Sequence, residues 1–250
     1  MKTPKKIFIF DDHRSLCEAA LKQWQEAAQQ AIAQNSRFTV ALSGGKTPVA
    51  FYQKLARHPD LPWTKTHIFW VDERFVDSSH EESNYRLIRE SLIQHITIPA
   101  VNIHPVFVGG GKPRDSAKNY EGRLRKFFSL PKGDVPEFDF VVLGIGADGH
   151  TASLFQGDLI DPFDRFVIPV TLSHLKYKRV SLTLSVLNSA REVVFLVTGE
   201  SKTAILKAIA QEDSQLPAAL VHSKHRNCSI LADKPAAHSF KKVPDHRKKK

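Results

Sequence analysis

Phe138 to Phe155 reads FDFVVLGIGADGHTASLF. Its first six residues are apolar apart from Asp139, the pattern of a strand buried on both faces of a parallel sheet. Gly144, Gly146 and Gly149 follow, with Asp148 and His150 among them, and Thr151 to Leu154 has the character of a first helical turn. A strand that ends in glycines, an acid and a histidine places reactive side chains at the carboxyl edge of a sheet, where open α/β folds bind ligands.

The same glycines spell G-x-G-x-x-G, and a dinucleotide fingerprint would add an acid about 20 residues on. Asp164 falls near that place. The fingerprint also needs a second apolar strand ending at the acid, and QGDLIDPFDRF (Gln156 to Phe166) is not one, so a nicotinamide cofactor is not expected. A lone histidine at this point would be a helix-start residue satisfied by a nearby carbonyl. With Asp148 two residues away in a glycine-rich turn, a carboxylate can orient the His150 ring and support its protonated form, which favours chemistry.

Working outward, strands and helices alternate as in βαβ units. IFIF (Ile7 to Phe10) is a short strand. Asp11 or Asp12 caps a helix to about Asn35, with Leu16, Ala20, Trp24 and Ala28 on one face. FTVAL (Phe38 to Leu42) is the next strand and SGGKTP breaks it, with Pro48 suited to the first turn of a helix ending near Arg57. THIFWV (Thr66 to Val71) delivers Asp72, Glu73 and Arg74 to the same edge. Ser83 caps a helix through Ile93. Ile103 to Val108 is a strand, Gly109 to Gly111 a loop, and Asp115 begins a helix towards Phe128. RVSLTLS and REVVFLVTG are two more strands, Ser201 to Ala210 is a helix, and CSILAD closes the fold. No linker or repeat divides the chain, so residues 1–240 are expected as one domain and 241–250 as a frayed basic tail.

Three further strand ends carry candidate ligands. In SGGKTP, Ser43, Gly44, Gly45 and Thr47 offer free backbone N–H groups, hydroxyls and a helix start, which suit a phosphate. The alternative is a tight turn that needs glycine for backbone reasons alone, with Lys46 solvated. Arg74 in VDERFV is either a surface ion-pair partner of Asp72 or Glu73, or a bidentate phosphate ligand. Asn84 reads as a helix-start residue. Lys202 in TGESK sits at a strand-to-helix junction.

The chain has 250 residues, 42% of them hydrophobic and 25% charged, a soluble globular composition long enough for a sizeable core. No apolar run approaches the ~20 residues of a membrane helix. MKTPKKIFIFDD lacks a secretory core and cleavage site, so a cytoplasmic protein is expected. Net charge is +10, and KKVPDHRKKK, with six Lys/Arg against one Asp, supplies +5 of it. Such runs are solvated tails more often than nucleic-acid grips, and no nucleic-acid module accompanies this one, so nucleic acid is not an expected partner. Cys17 and Cys228 are too few for a disulfide framework. His222, His225 and Cys228 have a metal-like spacing but make three ligands where a closed zinc site needs four.

Four stretches, SGGKTP, VDERFV with ESN, GIGADGHTASLF and TGESK, together resemble the 6-phosphogluconolactonase pattern in order and spacing, over about Ile7 to Phe240. The resemblance implies the fold shared with glucosamine-6-phosphate deaminases and ribose-5-phosphate isomerases, a Rossmann-like three-layer α/β/α sandwich with a mostly parallel central sheet. It implies a substrate phosphate held by the SGG loop, Arg74 and Lys202, with Arg179 in KRVSLTLS a weaker ligand. His150 becomes the general base that activates water for hydrolysis of a phosphosugar lactone, with Asp148 orienting it. That reaction requires no metal or organic cofactor, and a monomer is expected. Gln156 where the family commonly has proline, LPAALV at residues 216–221 and LSHLKYK before Arg179 depart from the pattern and bear on the sugar pocket. No G-x-S-x-G nucleophile elbow is present. A deaminase or isomerase on the same fold, or a non-catalytic sugar-phosphate sensor, are the rival readings.

Overall fold

The computed structural model describes residues 5–109, 111–157, 165–238 and 240. The basic tail, Gly110 and Asp164 therefore lie outside the described residues. β1 (Lys6–Phe10) leads into α1 (His13–Asn35), where the Asp12 carboxylate accepts from Ser15 N at 2.7 Å and caps the helix. Leu16, Ala20, Trp24 and Ala28 fall on one face at helical spacing and are all buried. β2 (Phe38–Leu42) is buried at every position, and α2 (Lys46–Ala56) follows a turn in which Gly45 has φ +100°. β3 (Thr66–Trp70), β4 (Asp72–Arg74) and α3 (Asn84–Ser91) come next, then β5 (Ile103–His104) and α4 (Pro113–Phe127). β6 (Phe140–Leu143), β7 (Val167–Val170), β8 (Arg179–Leu182) and α5 (Leu184–Ser189) follow. β9 (Glu192–Val197), α6 (Thr203–Ile209), α7 (Pro217–Leu220) and β10 (Cys228–Asp233) complete the described elements.

Seven strands form one sheet in the order β1-β10-β9-β6-β2-β3-β5, and every pairing in it is parallel. Alternate residues serve opposite faces. Phe38 and Phe140 both pack edge-on against Trp24 of α1, with ring centroids 5.1 and 5.6 Å from it. Phe69, paired with Ala41 and so on the other face, meets Phe127 of α4 at 5.0 Å. Helices therefore cover both faces, giving the three-layer α/β/α arrangement with a mostly parallel sheet. Among the described residues no helix is long and apolar enough to cross a membrane.

From β2 the chain moves outward to β3 and β5, whereas from β6 it moves the other way, to β9 and β10. The strand order reverses between β2 and β6, and such a switch point opens a crevice at the carboxyl ends of the two strands. SGGKTP and GIGADGH emerge there side by side.

The structure departs from the sequence reading in five places. β3 ends at Trp70, and Asp72–Arg74 forms its own strand in a second sheet, antiparallel and ordered β4-β8-β7. RVSLTLS contributes only Arg179–Leu182, to this small sheet rather than the main one, because Leu184 already starts α5. Val167–Val170 was not expected as a strand and is the third member. The strand expected over Ile103 to Val108 stops at His104, since Pro105 offers no N–H to continue a ladder. Thr151 to Leu154 is not a helical turn: Ala152 has φ +53°, Ser153 N donates to Ser181 Oγ, and Thr151 and Leu154 form an isolated bridge.

Candidate active site

A cavity of about 310 Å³ occupies the switch-point crevice. Ser43, Gly44, Gly45, Thr47, Arg74, His150, Arg179 and Lys202 all line it, so the fold brings together eight of the nine site residues expected from sequence. The ninth, Asp148, stands behind His150. Its Oδ1 lies 2.5 Å from His150 Nδ1 and also accepts His150 N at 3.2 Å. Burial pushes the Asp148 carboxyl up, but the backbone N–H and ring of His150 outweigh it, and the net displacement is downward. An ionised Asp148 can only accept from the ring, which selects the tautomer with the proton on Nδ1, and Nε2 has no hydrogen-bond partner among the described residues. The ring face packs on Phe155, with centroids 4.6 Å apart. Gly146 is required beneath the pair, because a Cβ there would overlap both His150 Nδ1 and Asp148 Oδ1. Gly149, at φ +84°, makes the turn that folds His150 back over Gly146.

On the β2 side, Ser43 is 4% exposed and its Oγ has no hydrogen-bond partner among the described residues. Its carbonyl is fixed by Tyr52 O–H at 2.7 Å. A buried hydroxyl left open just before an 11-residue helix is a ready donor to an anionic oxygen. Lys46 begins the helix but is exposed. Lys202 Nζ donates to Ile145 O at 2.6 Å, which draws the lysine across from β9 towards the glycine turn and leaves two of its N–H donors without an acceptor among the described residues.

Arg74 is not a surface ion-pair partner of Asp72 or Glu73. Its Nη1 donates to Asn84 Oδ1 at 2.7 Å and to Glu82 O at 3.0 Å, with the Glu82 carboxylate 3.6 Å from Nε. Glu73 instead points into the protein, where its carboxylate accepts the backbone N–H groups of Arg74, Asn84 and Tyr85, each at 2.8 Å. It thereby caps α3 and fixes the backbone that carries Arg74.

Three residues matter more than the sequence reading granted. Asp72, 5% exposed, accepts from Ser153 Oγ at 2.5 Å and from Asn84 Nδ2 at 3.2 Å. Asn84, read as a helix-start residue, bridges Asp72 to Arg74 and leaves so little room that a Cβ on Gly44 would overlap its amide. Ser153 joins Asp72 to Arg179, whose Nη1 is 3.4 Å from its Oγ. The available signal was the placement of Asp72 at a strand end and of Ser153 in the glycine-turn motif. The pairings themselves join segments far apart in the chain. His222, His225 and Cys228 do not converge: His225 Nε2 faces Glu137 at 3.2 Å, His222 Nδ1 faces Leu220 O at 3.0 Å, and Cys228 is buried in β10.

Residues 11–230 match the family described as glucosamine-6-phosphate isomerases/6-phosphogluconolactonase. The chain is 40% identical over 206 residues to 6-phosphogluconolactonase of Synechocystis sp., spanning 82% of this chain and 84% of that one. The 6-phosphogluconolactonase of Nostoc sp. is 37% identical over 207 residues, spanning 82% and 85%. Among solved structures, 6-phosphogluconolactonase from Trypanosoma cruzi superposes with a TM-score of 0.85 at 29% identity, covering 97% of this chain and 99% of that chain.

Proposed function

The chain belongs to the glucosamine-6-phosphate isomerase and 6-phosphogluconolactonase family, and from that premise we propose that it hydrolyses 6-phospho-D-glucono-1,5-lactone to 6-phospho-D-gluconate by a water that His150 activates. The observation that carries this reading is the His150–Asp148 pair, set in the same cavity as an open anion cradle. Hydrolysis of an ester needs an activated water, a place for the oxyanion and a proton for the leaving oxygen. With its Nδ1–H held by Asp148, His150 takes the water proton on Nε2 as the oxygen attacks the lactone carbonyl, and returns it to the ring oxygen when that bond breaks. An ionised Asp148 stabilises the imidazolium between those two transfers.

The phosphate is assigned to the loop of Ser43, Gly44 and Gly45 with Thr47, and to Arg74 and Lys202. The hydroxyl of Ser43, the first N–H groups of α2 and two cations converge there, a set of donors suited to a dianion. These side chains come from one chain, so a monomer suffices for the chemistry. The test is a lactonase assay on the purified chain, corrected for spontaneous opening of the lactone and paired with an ammonia assay on glucosamine 6-phosphate. Hydrolysis above background without ammonia release supports the reading. Ammonia release at a comparable rate would move the chain to the deaminase branch of the family.

A further inference from the structure

The two arginines bordering the cavity are not equivalent. Arg74 is anchored through Nη1 by Asn84 and the Glu82 carbonyl, with the Glu82 carboxylate facing Nε and Nη2 left without a partner among the described residues, and through Asn84 it sits beside Gly44 of the proposed phosphate loop. Arg179 is left with donors to spare. Its Nε is buried and has no partner among the described residues, and Nη1 has Ser153 Oγ at a long 3.4 Å. A guanidinium carries five N–H donors, and a buried donor without an acceptor is a standing cost to the fold.

Arg179 also lies on the side of the base. Its Cζ is 5.7 Å from the centroid of the Phe155 ring, and that ring packs on His150 with centroids 4.6 Å apart. Guanidinium and imidazole thus flank one aromatic side chain. The charge of Asp72 reaches Arg179 through a single hydroxyl, since Ser153 Oγ donates to Asp72 at 2.5 Å.

We propose that Arg179 is a catalytic residue whose free N–H groups bind the lactone carbonyl oxygen and stabilise the oxyanion formed when water attacks, rather than a ligand of the phosphate. This assignment rests on the lactonase reading and supplies its oxyanion donor. The water oxygen bonds to C1 as its proton passes to His150, and the carbonyl π pair moves onto the oxygen that faces Arg179. Collapse restores the C=O bond and breaks the bond from C1 to the ring oxygen, which takes the proton from His150. A partly desolvated guanidinium exerts a stronger field on that oxygen than a solvated one would. Ser153 and Asp72 act as positioning residues, holding the guanidinium at the reacting carbon and away from the phosphate loop.

Glucose 6-phosphate separates the two roles, because it has the ring and the phosphate but a hydroxyl in place of the carbonyl oxygen. Loss of one oxyanion donor costs about 10²–10³-fold in kcat, so Arg179→Gln is expected to fall by that order. Its affinity for glucose 6-phosphate, measured by calorimetry, should stay within about threefold of wild type, by the smallness of ground-state effects in such variants. Arg179→Lys, which keeps the charge but not the fork, should lie between the two in kcat, and its glucose 6-phosphate affinity guards against a misfolded glutamine variant. A tenfold or larger loss of glucose 6-phosphate affinity in either folded variant would return Arg179 to the phosphate, and so overturn the assignment. Full kcat in Arg179→Gln would overturn it too while leaving the lactonase reading standing. A wild-type chain without lactonase activity would bring down both.

Discussion

Arg74 and Arg179 stand directly opposite one another in the β4–β8 ladder, and each is tied to the Asp72 carboxylate through one neutral side chain, Asn84 or Ser153. Like charges opposed across antiparallel strands repel, so the small sheet holds this arrangement because a buried counter-charge lies between its two cations. Asp72→Asn keeps the shape and removes the charge. It is expected to destabilise the chain by at least about 1–3 kcal/mol, the cost of leaving a buried polar group without its partner, which is greater for charged groups. The check is a lower urea midpoint at constant m-value. An unchanged midpoint would mean that the arginines need no counter-charge.

Gly44 tests the link from backbone to ligand. A Cβ at this position would overlap the Asn84 amide oxygen, the acceptor that fixes Arg74. In Gly44→Ala, Asn84 must move and Arg74 loses its anchor, so KM for the phosphorylated lactone should rise by about tenfold or more, as for a weakened charge-assisted contact. The ammonium and imidazole groups are untouched, so kcat should fall less than kcat/KM. A KM within twofold of wild type would show that Asn84 does not position the arginine.

Much of this was legible in the sequence, and the limits of legibility are physical. The apolar run of β6, the glycine turn after it and the capped amphipathic α1 are set by local pattern, and they appear where that pattern puts them. Six of the eight cavity-lining residues were also readable, because β2, β6 and β9 are parallel and deliver their carboxyl ends to one edge, whereas Arg74 and Arg179 stand on the small antiparallel sheet and Arg179 was named only through the family resemblance. The small sheet was not. β4, β7 and β8 are three or four residues long, and their pairing depends on partners remote in the chain. Thr151 to Leu154 misled for a related reason: its N–H groups are drawn to Ser181 and to a bridge, which local propensity does not record. Asp72 looked like a partner for its neighbour Arg74, yet its hydrogen bonds run to Ser153 and Asn84.

Glu73 gives a pH dependence. It is fully buried, and burial pushes its carboxyl up to about 7 against the pull of the backbone N–H groups it accepts. A raised folded-state value means that the native chain binds this proton more tightly than the unfolded chain. The stability it contributes is complete below about 4.5 and is lost as pH rises through about 7. Wild type should therefore lose stability relative to Glu73→Gln across that window, read as the difference between their urea midpoints. A difference independent of pH would contradict the assignment of a proton to Glu73.

The most direct test of the account is the steady-state rate of 6-phosphogluconolactone hydrolysis by wild type and His150→Gln, each corrected for spontaneous opening. General-base catalysis is worth about 10²–10⁴-fold. Wild type should hydrolyse the lactone well above background, and His150→Gln should lose kcat by that order with KM little changed. Equal turnover by the two proteins would contradict the account.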